Sequence, residues 1–244
     1  MPQTKWPCRF CKGKGCEKCN FTGKQYPEAV EWVFQKYVER QIKGKFYKFH
    51  ASGREDIDAY CLGKRPFVFE VRSPSSCELD LRRLEEEIRK DGRIEVFDLR
   101  YSTRKEVREI KNQPTFKAYV ALIKGERKLD PSFLKNLEGT VVQRTPLRVL
   151  HRRSDRARER RIYKVELLGE ENRLSEVLFI TDPGTYIKEI VSGDEGRTKP
   201  SLSEITRVSY EVEKLYIVGV EKSLEFLLTL ELERRYREGK LRCS

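Results

Sequence analysis

Four cysteines near the start of the chain constrain its folding more than any other feature of the sequence. They are Cys8, Cys11, Cys16 and Cys19. The spacing C-x2-C-x4-C-x2-C lets each pair place two thiolates on one side of a tight turn, and Gly13 and Gly15 let the backbone between the pairs fold back. This predicts a closed, structural, tetrahedral site with zinc as the usual ion. An iron–sulfur cluster and two unrelated thiol pairs are the alternatives.

The charge of the chain indicates the kind of partner it binds. The 244 residues include 51 Lys and Arg against 39 Asp and Glu, a net charge of +12. Such an excess predicts a polyanion, with nucleic acid as the default inside a cell. A membrane surface and the ion-pair-rich surface of a heat-adapted protein are weaker alternatives. Because no apolar run is long enough to cross a bilayer and no signal core precedes the cysteines, we expect a cytoplasmic protein with no membrane partner.

The stretch from His50 to Asp58 reads HASGREDID and lies between two predicted strands, 46–49 and 67–71. Small residues interrupt the first strand, so three carboxylates and one arginine fall on a loop. A loop held by rigid neighbours is a common place for chemistry. A solvated acidic turn is the alternative.

The remaining pattern predicts an α+β fold with a mixed, largely antiparallel sheet, because strands and helices recur without regular βαβ phasing. Predicted helices cover 27–44, 78–90, 103–110, a segment that Thr185 caps, and 224–237. Predicted strands, besides those at the loop, cover 93–101, 115–124, the two ends of 143–164, the run before Asp182 and 208–212.

Segment 143–164 (QRTPLRVLHRRSDRARERRIYK) holds nine Arg or Lys against two acids. It predicts an exposed basic loop between two strands, where phosphates would replace the counterions of the side chains. The candidate RNA-binding residues are Arg144, Arg148, Arg152 and Arg153. A solvated charged loop is the alternative.

Three motifs, in chain order, resemble those of pseudouridine synthases. HASGREDID resembles the catalytic motif in which Gly-Arg-x-Asp carries the aspartate, which falls on Asp56. FKAYVAL resembles the motif whose tyrosine stacks on the target base, which gives Tyr119. GTYIKEI resembles a motif of the bacterial TruB group whose basic residue pairs with the aspartate, which gives Lys188. With QRTPLRVLHRR, GKRPF and GDEGRTKPS, the pattern is most similar over about 45–205 to the archaeal and eukaryotic family often called PsuX.

This resemblance implies a pseudouridine synthase fold that modifies adjacent uridines in the T-arm loop of tRNA, without an organic cofactor. The catalytic domain would span 45–244, and the zinc knuckle with a linking helix would span 1–44. Asp56 would act as nucleophile or as base, neutralised by Lys188, while Tyr119 would stack on the flipped base unless it is a core tyrosine. Arg54 would fill the gap left in the duplex. Tyr186 would line the pocket or pack under its helix.

The sequence also suggests roles for one more arginine and for the other two carboxylates of the loop. Arg197, in the motif GDEGRTKPS, joins the candidate RNA-binding residues, and Glu55 and Asp58 are interpreted as bracing the loop. Two departures from the family are Ala59-Tyr60-Cys61, where a Val-Arg pair is more usual, and the absence of a large THUMP-type domain. A separate RNA-binding subunit could replace that domain. The alternatives to a synthase are a non-catalytic zinc-knuckle RNA-binding or assembly protein, and a metal-dependent nuclease that uses the loop carboxylates.

Overall fold

The computed structural model describes residues 1–171 and 174–243, which form two compact units. Unit 1 comprises Met1–Ile57 and Pro66–Asn112, and unit 2 comprises Asp58–Arg65 and the chain from Gln113 onward. The chain thus passes from unit 1 into unit 2 within the HASGREDID loop and returns after eight residues. The predicted boundary after residue 44 lies inside unit 1.

The helices and strands, in chain order, are α1 (Val30–Val38), β1 (Phe46–Ala51), β2 (Ala59–Cys61), β3 (Phe67–Arg72), α2 (Leu81–Asp91), α3 (Arg104–Asn112), β4 (Phe116–Gly125), β5 (Gly139–Arg144), β6 (Ala157–Glu171), β7 (Leu174–Thr181), α4 (Ile187–Ser192), β8 (Thr198–Lys199), α5 (Leu202–Thr206), β9 (Tyr210–Glu221), α6 (Leu224–Thr229) and α7 (Leu232–Cys243). Among these described residues, no helix has the length and apolar composition needed to cross a bilayer.

Unit 1 is built on an antiparallel pair, β1 with β3. Its core joins this pair to α1 and α2, and the ring of Phe34 lies 5.3 Å from that of Phe67 and 4.8 Å from that of Phe69. The predicted second helix is confirmed as α2. Asp80 caps it by accepting a hydrogen bond from the Arg83 amide, since free amides at a helix start need an acceptor.

The predicted strand at 93–101 is wrong. In the described part of the chain this segment joins no sheet. Val96 is buried, and Ile94 and Leu99 pack against the unit 1 core, so the alternating apolar residues contact the core without a ladder of backbone hydrogen bonds. Asp98 has a φ of 55°, which interrupts the extended backbone that a strand requires.

Unit 2 is built on a seven-stranded sheet in the order β2-β9-β4-β7-β6-β5-β8. Only the edge pair β2 with β9 is parallel, and the other neighbours are antiparallel. The predicted α+β fold with a mixed, largely antiparallel sheet is therefore confirmed. Strand β4 is buried from Lys117 to Ile123, because one apolar cluster covers each face of the sheet.

Two local predictions in unit 2 are wrong. The closing segment forms two helices, α6 and α7, because Leu230 between them is extended, with φ −72° and ψ 142°. The residue before α4 is Tyr186, and Thr185 does not cap the helix. The Thr185 hydroxyl instead donates a hydrogen bond to the Asp182 carbonyl 2.9 Å away.

Candidate functional site

The four N-terminal cysteines converge on one point in unit 1. Their sulfur atoms all lie within 4.8 Å of one another. The Sγ atoms of Cys8 and Cys16 are 4.0 Å apart, those of Cys11 and Cys19 are 3.9 Å apart, and those of Cys16 and Cys19 are 3.8 Å apart. A tetrahedral ion with metal–sulfur bonds of about 2.3 Å requires sulfur separations of roughly 3.8 Å. The four cysteines could therefore bind one metal ion.

Backbone contacts preorganise this cluster. The Cys8 amide donates to the Gly23 carbonyl at 2.8 Å, which closes the knuckle. Gly15 and Gly23 have φ values of 95° and 68°, and their amides donate to the sulfurs of Cys11 and Cys19. Burial alone would raise the pKa of the Cys19 thiol, but the neighbouring backbone amides outweigh it and lower the pKa to about 6. At Cys16 the opposite holds, because burial and the neighbouring thiols raise its pKa to about 11.

The loop HASGREDID begins from a hydrogen-bonded pair in unit 1. His50 at the end of β1 is buried, and its Nε2 lies 2.9 Å from a carboxylate oxygen of Glu70 on β3. The Arg72 guanidinium donates to the other Glu70 oxygen at 2.7 Å. Arg72 first, and His50 second, lower the pKa of Glu70 to about 2. The loop thus starts from a fixed strand end.

Arg54 has a partner close to the cysteine knuckle. Its guanidinium lies over the Trp6 ring, 5.1 Å from the centroid. Trp6 is itself held by the knuckle, since its carbonyl accepts a hydrogen bond from the Gln25 amide and Pro7 bridges to Lys24. A cation over an indole face is attracted by the ring quadrupole. The knuckle therefore orients the arginine that precedes Asp56.

In unit 2, the Lys188 ammonium pairs with Asp58, at 2.5 Å. The predicted pairing of Lys188 with Asp56 stays a prediction. The pair with Asp58 follows from the topology: the chain enters unit 2 at Asp58, immediately before β2 pairs with β9, and α4 packs on β9. Burial raises the pKa of Asp58, but the hydrogen bond and charge of Lys188 outweigh it and lower that pKa.

A second ion pair lies beside the first. Arg148 donates to the buried carboxylate of Glu189 at 2.6 Å. Its charge also contributes to lowering the pKa of Asp58. Because Glu189 follows Lys188 directly on α4, the start of this short helix carries two ion pairs with residues that are distant in the sequence.

Tyr186 is fixed through both its backbone and its hydroxyl. The buried side chain of Gln143 accepts from the Tyr186 amide and donates to its carbonyl, each at 2.9 Å. Arg153 donates to the Tyr186 hydroxyl at 2.8 Å. These contacts orient the residue immediately before α4.

The other predicted RNA-binding arginines differ in their surroundings. Arg144 and Arg197 share the carboxylate of Asp155, at 2.9 and 2.5 Å, and Arg197 also donates to the Thr145 carbonyl at 2.8 Å. Arg197 is mostly buried, whereas Arg152 is exposed. The structure thus ties Arg144, Arg148 and Arg197 to carboxylates, which the charge count alone did not indicate.

Tyr119 is 2% exposed and belongs to the apolar cluster that also contains Ile187 and Ile190 of α4. It lies on β4 in register with Phe179 and Ile217 on the neighbouring strands. Tyr119 therefore packs as a core tyrosine, which was the alternative to base stacking. Stacking on a base stays a prediction.

Three residues of the site escaped the sequence analysis: Gln143, Asp155 and Glu189. Gln143 follows the buried Val141 at the strand period of two, while Val142 and Arg144 are exposed, so the alternation in β5 could have identified an inward-facing amide. Nothing local marks Glu189 or Asp155, because their partners lie far away in the sequence.

Known proteins are similar to this chain over most of its length. A family model described as "Pus10, C-terminal" matches residues 1–221. The chain belongs to the Pus10 C-terminal family. A Methanocaldococcus jannaschii protein named "tRNA pseudouridine synthase Pus10" is 48% identical over 211 residues, which cover 84% of this chain and 46% of the relative. An Archaeoglobus fulgidus protein of the same name is 44% identical over 225 residues, covering 90% of this chain and 63% of the relative.

The chain thus spans about half the length of the curated Pus10 relatives that it matches. A solved structure described as "Crystal Structure of a Cbf5-Nop10-Gar1 Complex" has a TM-score of 0.45 and 16% identity, covering 79% of this chain and 44% of that one. The pseudouridine synthase family predicted from the motifs is confirmed as Pus10, whereas the T-arm specificity stays a prediction.

Proposed function

We propose that the chain is a tRNA pseudouridine synthase that isomerises one or both adjacent uridines of the T-arm loop. The observation that carries this proposal is the close match, over most of the chain, to relatives named as such enzymes. The net charge of +12 supports a polyanionic substrate. The reaction needs no organic cofactor, because the glycosidic N–C bond breaks, a C–C bond to carbon 5 forms, and the proton of carbon 5 leaves while a nitrogen regains one.

The target base must leave its stack before the glycosidic carbon can be reached, at a cost of a few kcal/mol. We propose that Arg152, Arg153 and Arg144 offset part of this cost by phosphate contacts, since their side chains lie at the surface. Arg144 pairs with Asp155 but stays exposed, whereas Arg148 and Arg197, whose side chains are more covered and paired with carboxylates, would assist by positioning. Arg54, held over Trp6, would enter the space that the base vacates.

We propose Asp56 as the catalytic carboxylate, as nucleophile or as base, on the strength of the motif Gly-Arg-x-Asp. The ion pair of Asp58 with Lys188 gives the neighbouring carboxylate a structural role two residues later. Lys188 would add positive charge that favours ionised carboxylates around it. Tyr119 would face the base from the core side, and Tyr186 would line the pocket.

The test uses a T-arm tRNA transcript labelled with tritium at carbon 5 of uridine, so that released tritium reports turnover in EDTA. We expect Asp56→Asn to lower the rate by at least about a thousandfold, as loss of a nucleophile does. Glu55→Gln, in the same loop, is the matched control and should stay within about twofold. Asp58→Asn and Lys188→Met should lower the rate about ten- to a hundredfold through mispositioning.

Three outcomes would change the proposal. If Asp58→Asn abolished turnover while Asp56→Asn did not, the catalytic role would move to Asp58. RNA cleavage that depends on magnesium, without pseudouridine, would indicate the nuclease. RNA binding without any turnover by the wild-type chain would favour a non-catalytic RNA-binding protein, or a requirement for a separate RNA-binding subunit.

For the cysteine cluster we propose zinc, because the sulfur separations match one tetrahedral ion and the donor set is four thiolates. Cys8, Cys11, Cys16 and Cys19 would hold it as a structural ion with no open coordination position. Elemental analysis of the purified protein should give about one zinc per chain. Iron with inorganic sulfide would indicate a cluster instead. We further propose that the protein acts in the cytoplasm, where fractionation should find it with tRNA.

A further inference from the structure

The cysteine knuckle exposes two large aromatic side chains. Phe10 lies between the first two cysteines and is 67% exposed, and Phe21 lies two residues after the fourth and is 73% exposed. These are high values for phenylalanine, which is usually buried. Their rings do little to hold the knuckle together, because its closure depends on the cysteines and on backbone hydrogen bonds.

Phe21 also has an unfavourable backbone conformation. Its φ is 58°, in the left-handed region that glycine and asparagine tolerate and bulky residues disfavour. Its amide donates to the Cys16 carbonyl at 2.9 Å, so the position is fixed by the fold of the knuckle. A large ring in a disfavoured conformation, pointing into solvent, contributes little to stability and suits a contact with a partner.

The charge around the two rings indicates the chemistry of that partner. Segment 8–24 carries five basic residues and a single acid, Glu17. The basic residues are Arg9, Lys12, Lys14, Lys18 and Lys24. All five are exposed. Exposed aromatic rings among basic side chains are the combination that binds single-stranded nucleic acid, by stacking on bases and by neutralising phosphates.

We propose that the knuckle is an RNA-binding surface in its own right, on which Phe10 and Phe21 stack against unpaired bases while the surrounding lysines contact phosphates. The inference rests on the proposed action on RNA and adds a second contact surface, in unit 1. Because stacking tolerates any base, this surface contributes affinity without sequence preference.

The experiment measures binding of the full, metal-loaded chain to fluorescein-labelled decauridylate by fluorescence anisotropy. Phe10→Ala with Phe21→Ala should weaken binding about tenfold or more, since each stacked base contributes substantially. Replacing both by Trp should keep the affinity within about twofold, whereas replacing both by Leu should behave like Ala. Phe226→Ala removes another exposed ring, from α6 in unit 2, and should leave the affinity for decauridylate unchanged.

Salt dependence separates the two parts of the surface. The slope of log Kd against log salt reports phosphate contacts, so it should be unchanged in the Ala pair and smaller when Lys12 and Lys14 become Gln. Metal content of about one ion per chain in every variant shows that the knuckle is intact. In Phe10→Trp, the fluorescence added by the substitution should be quenched by decauridylate and much less by an RNA duplex.

Two results would overturn the inference. One is equal affinity of the wild-type and Ala pair for decauridylate. The other is a loss of self-association in the Ala pair, seen by sedimentation, with RNA affinity unchanged, which would make the surface a contact between copies of the chain. Turnover on tRNA, measured with the same preparations, tests the proposed function separately. If the wild-type chain forms pseudouridine but the Ala pair binds decauridylate as tightly as the wild type, this inference fails and the proposed function stands. If the Ala pair loses affinity but the wild-type chain forms no pseudouridine, the inference stands and the proposed function fails.

Discussion

Unit 2 covers both faces of a seven-stranded sheet with apolar side chains, whereas unit 1 has one apolar cluster on a two-stranded sheet. In unit 2, Phe179, Ile217 and Val218 on the central strands are fully buried. Each of the three clusters draws its residues from one unit only. A two-stranded sheet with few covering elements is marginally stable by itself, so unit 1 needs another source of stability.

The cysteine knuckle supplies four thiolates that could bind one metal ion, and we propose this binding as that source, because binding free energy at a structural metal site is folding free energy. Unit 2 needs no such additional source of stability. It also holds a buried charge, since Glu176 on β7 is 2% exposed and is bound by three side chains of α7. The same chain thus covers both faces of one sheet with apolar clusters and gives the other unit, beside its single cluster, a site where a metal ion would add folding free energy.

Removing the metal should have the largest effect and should be confined to unit 1. We expect Cys16→Ser to cost roughly 10 kcal/mol of metal-linked folding free energy, more than such a unit can spare. Both tryptophans, Trp6 and Trp32, lie in unit 1, so their fluorescence reports it alone. Hydrogen exchange should show that β1 loses protection while β4 keeps it.

The matched control for this change is Cys77→Ser. Cys77 is exposed, lies in unit 1 and is outside the cluster, so the variant should behave as the wild type. Equal loss of protection in β1 and β4 after Cys16→Ser would break the comparison, because it would show that the two units fold as one.

A change at Glu176 should have an intermediate effect, confined to unit 2. Its carboxylate accepts from the Tyr236 hydroxyl at 2.6 Å and from Lys240 at 2.8 Å, and it pairs with Arg237. Glu176→Gln leaves these groups without their charge partner and should cost about 3 kcal/mol. Hydrogen exchange in β7 and α7 measures this effect, and tryptophan fluorescence should not change.

Glu166→Gln is the control, because Glu166 pairs with Lys164 on the surface of the same sheet and should matter by less than about 0.5 kcal/mol. Burial raises the pKa of Glu176, but Lys240 and the other partners outweigh it and lower that pKa. The wild type should therefore lose this stabilisation as pH falls below the ordinary glutamate range, and the variant should not. An unchanged unit 2 in Glu176→Gln would contradict the idea that α7 is anchored by charge.

The sequence predicted what local patterns encode. The cysteine spacing, strand β4 and the two strands on either side of the loop follow from residues close together in the chain. The ion pairs of the candidate site do not. Spacing alone could not predict that Lys188 meets Asp58, because this contact depends on β2 joining the edge of the unit 2 sheet.

The same limit explains the wrong strand at 93–101. Its apolar residues alternate as a strand does, yet they contact the unit 1 core from a segment that joins no described sheet. Periodicity reports which side chains face a core and does not report whether the backbone has a strand partner. Long-range partners of Arg148 and Arg197 were missed for the same reason, since their carboxylates are set by tertiary structure.

The smallest expected effect concerns Glu70 in unit 1. Its pH dependence tests whether a charge contributes to the stability of unit 1. Arg72 and His50 lower the pKa of Glu70 from 4.5 to about 2, so its stabilisation is complete above about pH 4.5 and is lost as pH falls towards 2. Because the group is partly exposed, Glu70→Gln should cost only about 1 kcal/mol at neutral pH. Urea unfolding followed by tryptophan fluorescence should show that the difference in the free energy of unfolding between Glu70→Gln and the wild type shrinks between pH 5 and about 3.

The control is Glu78→Gln, an exposed change in the same unit, whose difference from the wild type should not shrink in this pH range. A constant difference at all pH values would mean that Glu70 stabilises unit 1 by its shape and not by its charge, and unit 1 would then depend on packing in the same way as unit 2.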